Sequence, residues 1–162
     1  MLKGYIQSAV VVGLIGAISL SPASLVPTAA SETTRDIAKE ESNRSVVLEF
    51  YDGVFNKHEV EKYSEVIVDQ YIQHNPNVPD GKEAFVSFFT QRFKDNPEAT
   101  SRIVRSATDG DLVFIHVNSK ENANDPGVAI VDIFRVDNGK IVEHWDVIQK
   151  VPDSASNKNT MF

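Results

Sequence analysis

Three histidines and two aspartates are the residues of this chain whose types could carry out chemistry: His74, His116, Asp132, His144 and Asp146. A carboxylate enclosed by apolar side chains has a raised pKa and becomes a competent base near neutral pH. A neighbouring imidazole, or a carboxyl group kept protonated by burial, can donate a hydrogen bond to a developing oxyanion. These residues therefore predict acid–base chemistry in a pocket, with Asp146 as the base and His144 and Asp132 as the donors.

The turn between the last two predicted strands determines whether these groups meet. Asp137-Asn138-Gly139 fits a three-residue loop that ends with glycine in the left-handed region. Such a loop places Asp132 directly opposite His144 and Ile130 opposite Asp146, and opposed residues share a face of the sheet. A two-residue Asn-Gly turn would shift the register by one residue and separate Asp132 from His144. The three-residue loop predicts one shared face that carries Asp132, Phe134, His144, Asp146 and Ile148.

The elements that must position these groups follow from the apolar spacing, which places the helices before most of the strands. Three- and four-residue steps predict helices over 46–55, 60–67 and 82–94. An extended segment ends at Asn75, because the residue before Pro76 is driven away from helical geometry. Alternating segments then predict strands over 100–107, 112–118, 128–136 and 140–151. This order predicts an α+β fold with a mostly antiparallel sheet.

The remaining pocket residues are predicted from their positions on these elements. His116 has the same parity as Phe114 on its strand, which places it in the cavity. His74 precedes the Asn75-Pro76 turn and is predicted to contact the ligand, the alternative being that it caps that turn. The expected apolar contacts to the ligand are Phe89 from the third helix together with Ile130, Phe134 and Ile148.

The opposite face of the last hairpin is also apolar in this register. It would present Val131, Ile133, Ile141, Trp145 and Val147. The helices can cover one face of a sheet, and an exposed apolar patch of this size usually marks an interface. We therefore predict a homodimer that packs through this face.

The first thirty residues differ in composition from the rest of the chain. Lys3 is followed by an apolar run over 8–20 and by small residues that end at Ala30, the arrangement of a secretory signal. The run is shorter than the roughly 20 residues that span a bilayer. The predicted organisation is a signal peptide at 1–30, a flexible lead-in at 31–42, a domain at 43–152 and a polar tail at 153–162, in a secreted or periplasmic protein with no membrane association after the signal is removed.

Charge and cysteine content exclude several classes of function. The net charge of -7 and the lack of a basic cluster argue against nucleic-acid partners and anionic membranes. The chain has no cysteine, which excludes a disulfide framework, a thiolate nucleophile and a thiolate metal site.

Three segments resemble the SnoaL-like polyketide cyclases of the nuclear-transport-factor-2-like superfamily. They are His74-Asn75-Pro76 with Asp80-Gly81, the strand 111–117, and the block from Val131 to Asp146. The resemblance spans about Asn43 to Pro152. It implies a cone-shaped fold in which a curved sheet encloses a cavity closed by helices. It also implies an intramolecular aldol condensation without metal or organic cofactor, with Asp146 and His144 similar to the acid–base carboxylate and its neighbouring histidine.

Other interpretations of the same residues remain open at this point. His144 and Asp132 could form a satisfied buried pair with a structural role. Three histidines and two aspartates could bind a metal, although no local ligand spacing such as His-x-x-x-His occurs. At the level of function, the alternatives to an enzyme acting on a small carbonyl compound are a non-catalytic protein that binds an apolar ligand and a dimerisation module.

Overall fold

The computed structural model describes residues 34–162, which form helices on one side of a five-stranded sheet. The helices are α1 (Ile37–Phe55), α2 (Val60–Tyr63), followed by a 3₁₀ turn (Ser64–Val66), and α3 (Lys82–Asp95). The strands are β1 (Ile67–Gln73), β2 (Thr100–Asp109), β3 (Leu112–Lys120), β4 (Val128–Asp137) and β5 (Lys140–Lys150). The predicted α+β class is confirmed, and each predicted helix and strand overlaps an observed one.

The sheet is curved and unclosed, and its strands lie in the order β1-β5-β4-β3-β2. β2 to β5 pair as an antiparallel meander, whereas β1 joins the edge of β5 in parallel. The concave face packs against α1 and α3, so that alternate residues of β3, such as Val113, Ile115 and Val117, are fully buried beneath the helices. The mostly antiparallel, curved sheet that the sequence predicts is therefore confirmed.

The β4–β5 hairpin differs from its predicted register. Asp137 pairs with Lys140, so the turn has two residues, Asn138 and Gly139, and both have positive φ as a type I′ turn requires. A bulge then adds Val142 to β5, so that Asp132 lies opposite Asp146 instead of His144. The predicted three-residue loop was wrong. The shorter turn alone would place Asp132 and His144 on opposite faces of the sheet, and the bulge returns them to the same face.

The bulge also changes the face on which Ile141 lies. Ile141 pairs with Val136, and both are fully buried in the core. The sequence placed Ile141 on the outer face with Val131 and Val147, and that placement was wrong. An extra residue in the strand reverses the facing of the residues that precede it relative to those that follow.

Helix α1 begins at Ile37, although the sequence predicted a flexible lead-in through residue 42. Asp36 caps the helix through the backbone N–H of Lys39. One turn later, the buried Glu40 carboxylate accepts hydrogen bonds from Arg35, from the Thr108 hydroxyl at 2.9 Å and from the Gly110 backbone N–H at 3.3 Å. These contacts bind the start of α1 to the turn between β2 and β3.

Replacement of Glu40 by Gln is expected to lower the thermal unfolding midpoint at neutral pH by something on the order of 5 °C. Hydrogen bonds from Arg35 first, and from Thr108 and Gly110, lower the pKa of Glu40 from 4.5 to about 2. A carboxyl group with a lowered folded-state pKa stabilises the fold above its unfolded value, and that contribution is lost as the pH falls from 4.5 towards 2. Thermal melts of the variant and the wild type should therefore converge on acidification. The exposed Glu49 on the same helix supplies the control, and an equal effect of Glu49→Gln would contradict the prediction.

The predictions for the two ends of the chain have different outcomes. The predicted signal peptide at 1–30 lies outside the described residues. Residues 151–162 have no regular secondary structure, and the Phe162 ring lies 5.6 Å from that of His116 on the outer face of the sheet. Within 34–162, none of the helices has the length and hydrophobicity needed to cross a membrane.

Candidate active site

A cavity of about 320 Å³ lies between the concave face of the sheet and helices α1 and α3. Its walls are mainly aromatic, and polar side chains reach it from α1, α3, the five strands and the residues just after β1. The aromatic wall consists of Phe50, Phe55, Phe85, Phe88, Phe89, Phe93 and Phe134. The polar groups from α1, β1, β4, β5 and the residues just after β1 are Tyr51, Tyr71, Gln73, Asn75, Asp132, His144 and Asp146.

A buried carboxylate–imidazole pair occupies one side of this cavity. His144 Nε2 lies 3.0 Å from Asp132 Oδ1, and both side chains are more than nine-tenths buried. The Tyr51 hydroxyl donates to the other oxygen, Asp132 Oδ2, at 3.1 Å. The His144 ring also packs at 4.6 Å from that of Phe134, its cross-strand neighbour. Asp132 therefore has partners for both oxygens inside an apolar enclosure.

The side chain of Gln73 determines which nitrogen of His144 carries a proton. Gln73 Oε1 accepts the backbone N–H of Asn75 at 2.9 Å, which fixes the orientation of the amide. The same oxygen lies 2.8 Å from His144 Nδ1, so Nδ1 must be the protonated donor. One further proton is then shared between His144 Nε2 and Asp132, either as a neutral pair or as imidazolium and carboxylate.

Burial raises the pKa of Asp132 above its ordinary value of 3.8. Hydrogen bonds from His144 and Tyr51 oppose this effect, and the nearby Asp146 charge adds to it. Burial also holds the pKa of Tyr51 well above 10, so its hydroxyl remains protonated and acts as a donor. Burial therefore favours the protonated form of Asp132.

Asp146 is the more accessible carboxylate of the two. It lies directly opposite Asp132 on β5, and its Oδ2 accepts a hydrogen bond from the Asn75 amide nitrogen at 2.6 Å. Asp146 is half-buried and borders the cavity, so a ligand can reach it. Two carboxyl groups in different environments side by side can separate into an acid and a base.

The structure brings most of the predicted site residues together. Asp132, His144 and Asp146 border the cavity, as do Phe89, Ile130, Phe134 and Ile148, the last of them half-exposed.

His116 and His74 do not reach the cavity. The inner positions of β3 are Val113, Ile115 and Val117, and His116 lies on the outer face beside Arg105 at 3.1 Å. Both rows of β3 contain large apolar residues, since Leu112 and Phe114 share the row of His116, so parity alone could not identify the inner one. His74 also points outward, where its ring stacks on Trp145. The prediction that both residues line the cavity was therefore wrong.

Sequence reasoning missed four polar residues close to the Asp132–His144–Asp146 cluster. Tyr51 and Tyr71 are buried in the core, and both also border the cavity. Gln73 and Asn75 flank the singled-out His74, and they reach the site because β1 pairs in parallel with β5. The alternation along an extended segment could have found them: if His74 faces outward, its two neighbours face inward.

Asp132, His144 and Asp146 also meet the distance requirement for a metal site. One ligand atom from each lies within 4.8 Å of the others. However, His144 Nδ1 is bound to Gln73 and His144 Nε2 to Asp132. A metal could use His144 only by displacing one of these hydrogen bonds, so the donor set favours proton transfer over metal binding.

Comparison with known proteins identifies relatives of this fold. The family model for the SnoaL-like domain matches residues 47–144. A candidate ketosteroid isomerase from Kribbella flavida superposes with a TM-score of 0.60 at 15% identity, covering 74% of this chain and 86% of that one. A SnoaL-like protein of unknown function from Burkholderia thailandensis gives 0.59 at 14% identity, covering 68% and 96%. A candidate polyketide cyclase from Bacillus cereus gives 0.57 at 21%, covering 66% and 74%. Comparison with curated proteins finds no match.

Proposed function

Because the chain belongs to the SnoaL-like domain family, we propose that it is a cofactor-independent acid–base enzyme acting on a small carbonyl compound. The observation that carries the proposal is the pairing of Asp146, reachable from the cavity, with the buried Asp132–His144 pair directly beside it. Aldol-type cyclisation, isomerisation and dehydration all begin with removal of a proton next to a carbonyl group. The site offers a base for that proton and an acid for the carbonyl oxygen.

In the proposed reaction, the Asp146 carboxylate takes the proton from the carbon next to the carbonyl group. The electron pair moves onto the carbonyl oxygen, and the resulting enolate accepts the proton shared by Asp132 and His144 in a hydrogen bond that replaces the one between those two side chains. In an isomerisation, Asp146 returns its proton to a different carbon. In an aldol closure, the enolate carbon attacks a second carbonyl group, and the oxygen of that group takes up the proton that Asp146 removed, which restores the Asp146 carboxylate. The aromatic wall holds the apolar body of the substrate and excludes water.

The experiment that tests this proposal measures proton exchange, which all these reactions share. The protein is incubated in D₂O with a panel of small cyclic and aromatic ketones, and NMR follows the deuterium that enters next to the carbonyl group. Exchange that exceeds the buffer rate and persists with a metal chelator supports the proposal. Ketones that bind in the cavity but show no exchange would instead support a non-catalytic ligand-binding protein.

We also propose that two copies of the chain associate through the outer face of the sheet. Val131 and Val147 expose 43% and 71% of their surface there, beside the half-buried Ile133 and Trp145. Burial of this apolar area in a dimer is favourable, and charge in its centre is not. We propose as well that the protein is exported by its predicted signal peptide.

Substitution of Val147 by Glu is expected to convert a dimer into a monomer without loss of the fold. Light scattering coupled to size exclusion measures the mass, and circular dichroism checks the fold. Ile37→Glu is a matched control, because Ile37 is equally apolar and exposed but lies at the start of α1. A monomeric wild type, or a Val147→Glu dimer, would contradict the proposed interface.

A further inference from the structure

The end of β1 and the residues that follow it connect the cavity to the outer face of the sheet. Gln73 and Asn75 point inward, to His144 and Asp146, at 2.8 and 2.6 Å. His74, between them, points outward, as the alternation of an extended chain requires. Its backbone N–H donates to the His144 carbonyl at 2.9 Å, so the segment runs alongside β5 at the site.

The outward side chain of His74 is held by two contacts. Its ring stacks on Trp145 at a centroid distance of 4.7 Å, with an angle of 4° between the planes. Its Nε2 donates to Glu143 Oε1 at 2.9 Å. Arg135 supports both partners, because its Nε donates to Glu143 Oε2 at 2.8 Å and its guanidinium lies 5.5 Å from the Trp145 ring centre.

Few backbone pairs hold this part of β1. Within residues 34–162 it is an edge strand that pairs with β5, and its parallel register breaks between Ile67 and Ile72. After the break, Ile72 and Gln73 pair with β5, opposite Glu143 and His144, and the His74 N–H adds one backbone hydrogen bond to β5. The contacts of the His74 side chain therefore contribute substantially to holding the end of β1 against β5.

We infer that His74 is a positioning residue, which places Gln73 and Asn75 against His144 and Asp146 by anchoring their segment to Trp145 and Glu143. This role deepens the proposed function, and its effect on a reaction rate rests on that function. Without the anchor, the Gln73 amide no longer selects the protonated Nδ1 of His144, and the Asn75 amide no longer orients the Asp146 carboxylate. A small displacement of such groups is enough to slow a reaction by roughly 10- to 100-fold.

The test is NMR of ¹⁵N-labelled protein, which reports the site without any substrate. The chain has four histidines, so single variants assign each imidazole. In the wild type, the Nδ1–H proton of His144 is expected as a protected resonance, and the Asn75 side-chain amide as a shifted one. His74→Ala should cause loss of the first and return the second to the position of a solvent-exposed amide. His74→Phe keeps the stack on Trp145, and His74→Gln keeps a donor for Glu143, so each should retain part of the effect.

His116→Ala is the matched control, because His116 lies on the same outer face but contacts Arg105 and Phe162. It should leave the His144 and Asn75 resonances unchanged. Unchanged resonances in folded His74→Ala, with or without a lower melting temperature, would overturn the inference. If the resonances change as expected but no ketone shows exchange in the wild type, the positioning role stands and the proposed function fails.

Discussion

Asp146→Asn should abolish most of the proton exchange while the protein keeps its fold. A positioned general base typically contributes 10²–10⁴-fold to a rate, and the amide of Asn cannot take the proton. Asn is nearly isosteric with Asp, and its side-chain oxygen can still accept the hydrogen bond from Asn75. The expected result is a loss of roughly 10²–10⁴-fold in exchange rate at almost unchanged ligand affinity.

The controls for this prediction separate the base from other carboxylates. Asp69→Asn changes an exposed aspartate of β1 and should leave the exchange rate unchanged. Asp132→Asn removes the carboxyl group that shares a proton with His144, and it should slow exchange through loss of enolate stabilisation. If Asp146→Asn keeps the full rate while Asp132→Asn loses it, the base has been assigned to the wrong carboxylate.

The sequence predicts the elements of this fold well, because local spacing carries most of the information. The apolar steps from Val46 to Phe55 indicate a helix, and the alternation after Thr100 indicates strands. The start of α1 was missed because its first turns are polar, and their anchor is the distant turn at Thr108 and Gly110. A contact between residues so far apart leaves no periodic signal in the sequence.

The shared face of the candidate site was predicted correctly from a wrong turn. The two-residue turn alone would have placed Asp132 and His144 on opposite faces of the sheet. The bulge at Val142 adds the compensating residue, and nothing in the local sequence marks it. The face on which a residue lies depends only on whether the register shift is odd or even. Two shifts of one residue therefore restore the predicted face, whereas the predicted cross-strand partner of each residue remains wrong.

The errors at His74 and His116 have a different physical origin. On β3, both faces of the strand carry large apolar residues, since Leu112 and Phe114 share the outer row with His116, which itself lies opposite the apolar Val131 of β4. At β1, the direction of the side chains depends on a parallel pairing with β5, which the chain forms across some 70 intervening positions. The long-range pairing of an edge strand is not encoded in its own short sequence. The inward direction of the Gln73 and Asn75 side chains is therefore known from the structure.

His144→Ala should destabilise the protein strongly, and by an amount that depends on pH. Loss of one partner from a buried, hydrogen-bonded pair costs about 3–5 kcal/mol, because the other is left without compensation. Here the remaining group is Asp132, whose pKa is already raised by burial and is held down by His144. Without the imidazole, that pKa rises further.

The sign of the pH dependence follows from the raised pKa of Asp132. A carboxyl group whose folded-state pKa lies above its unfolded value of 3.8 contributes fully to stability below that value, and the contribution is lost as the pH rises through the folded pKa. The deficit of His144→Ala relative to the wild type should therefore be small near pH 4 and grow towards pH 7. Urea unfolding at several pH values measures this difference in the free energy of unfolding.

The double variant Asp132→Asn with His144→Ala shows whether the buried charge causes the deficit. Asn cannot ionise, so the double variant should lose the pH dependence and recover part of the stability at neutral pH. A deficit that is the same at every pH would mean that the lost packing of the His144 ring against Phe134 dominates. In that case the two groups do not share a proton, and the acid assigned to the enolate oxygen would have to come from Tyr51.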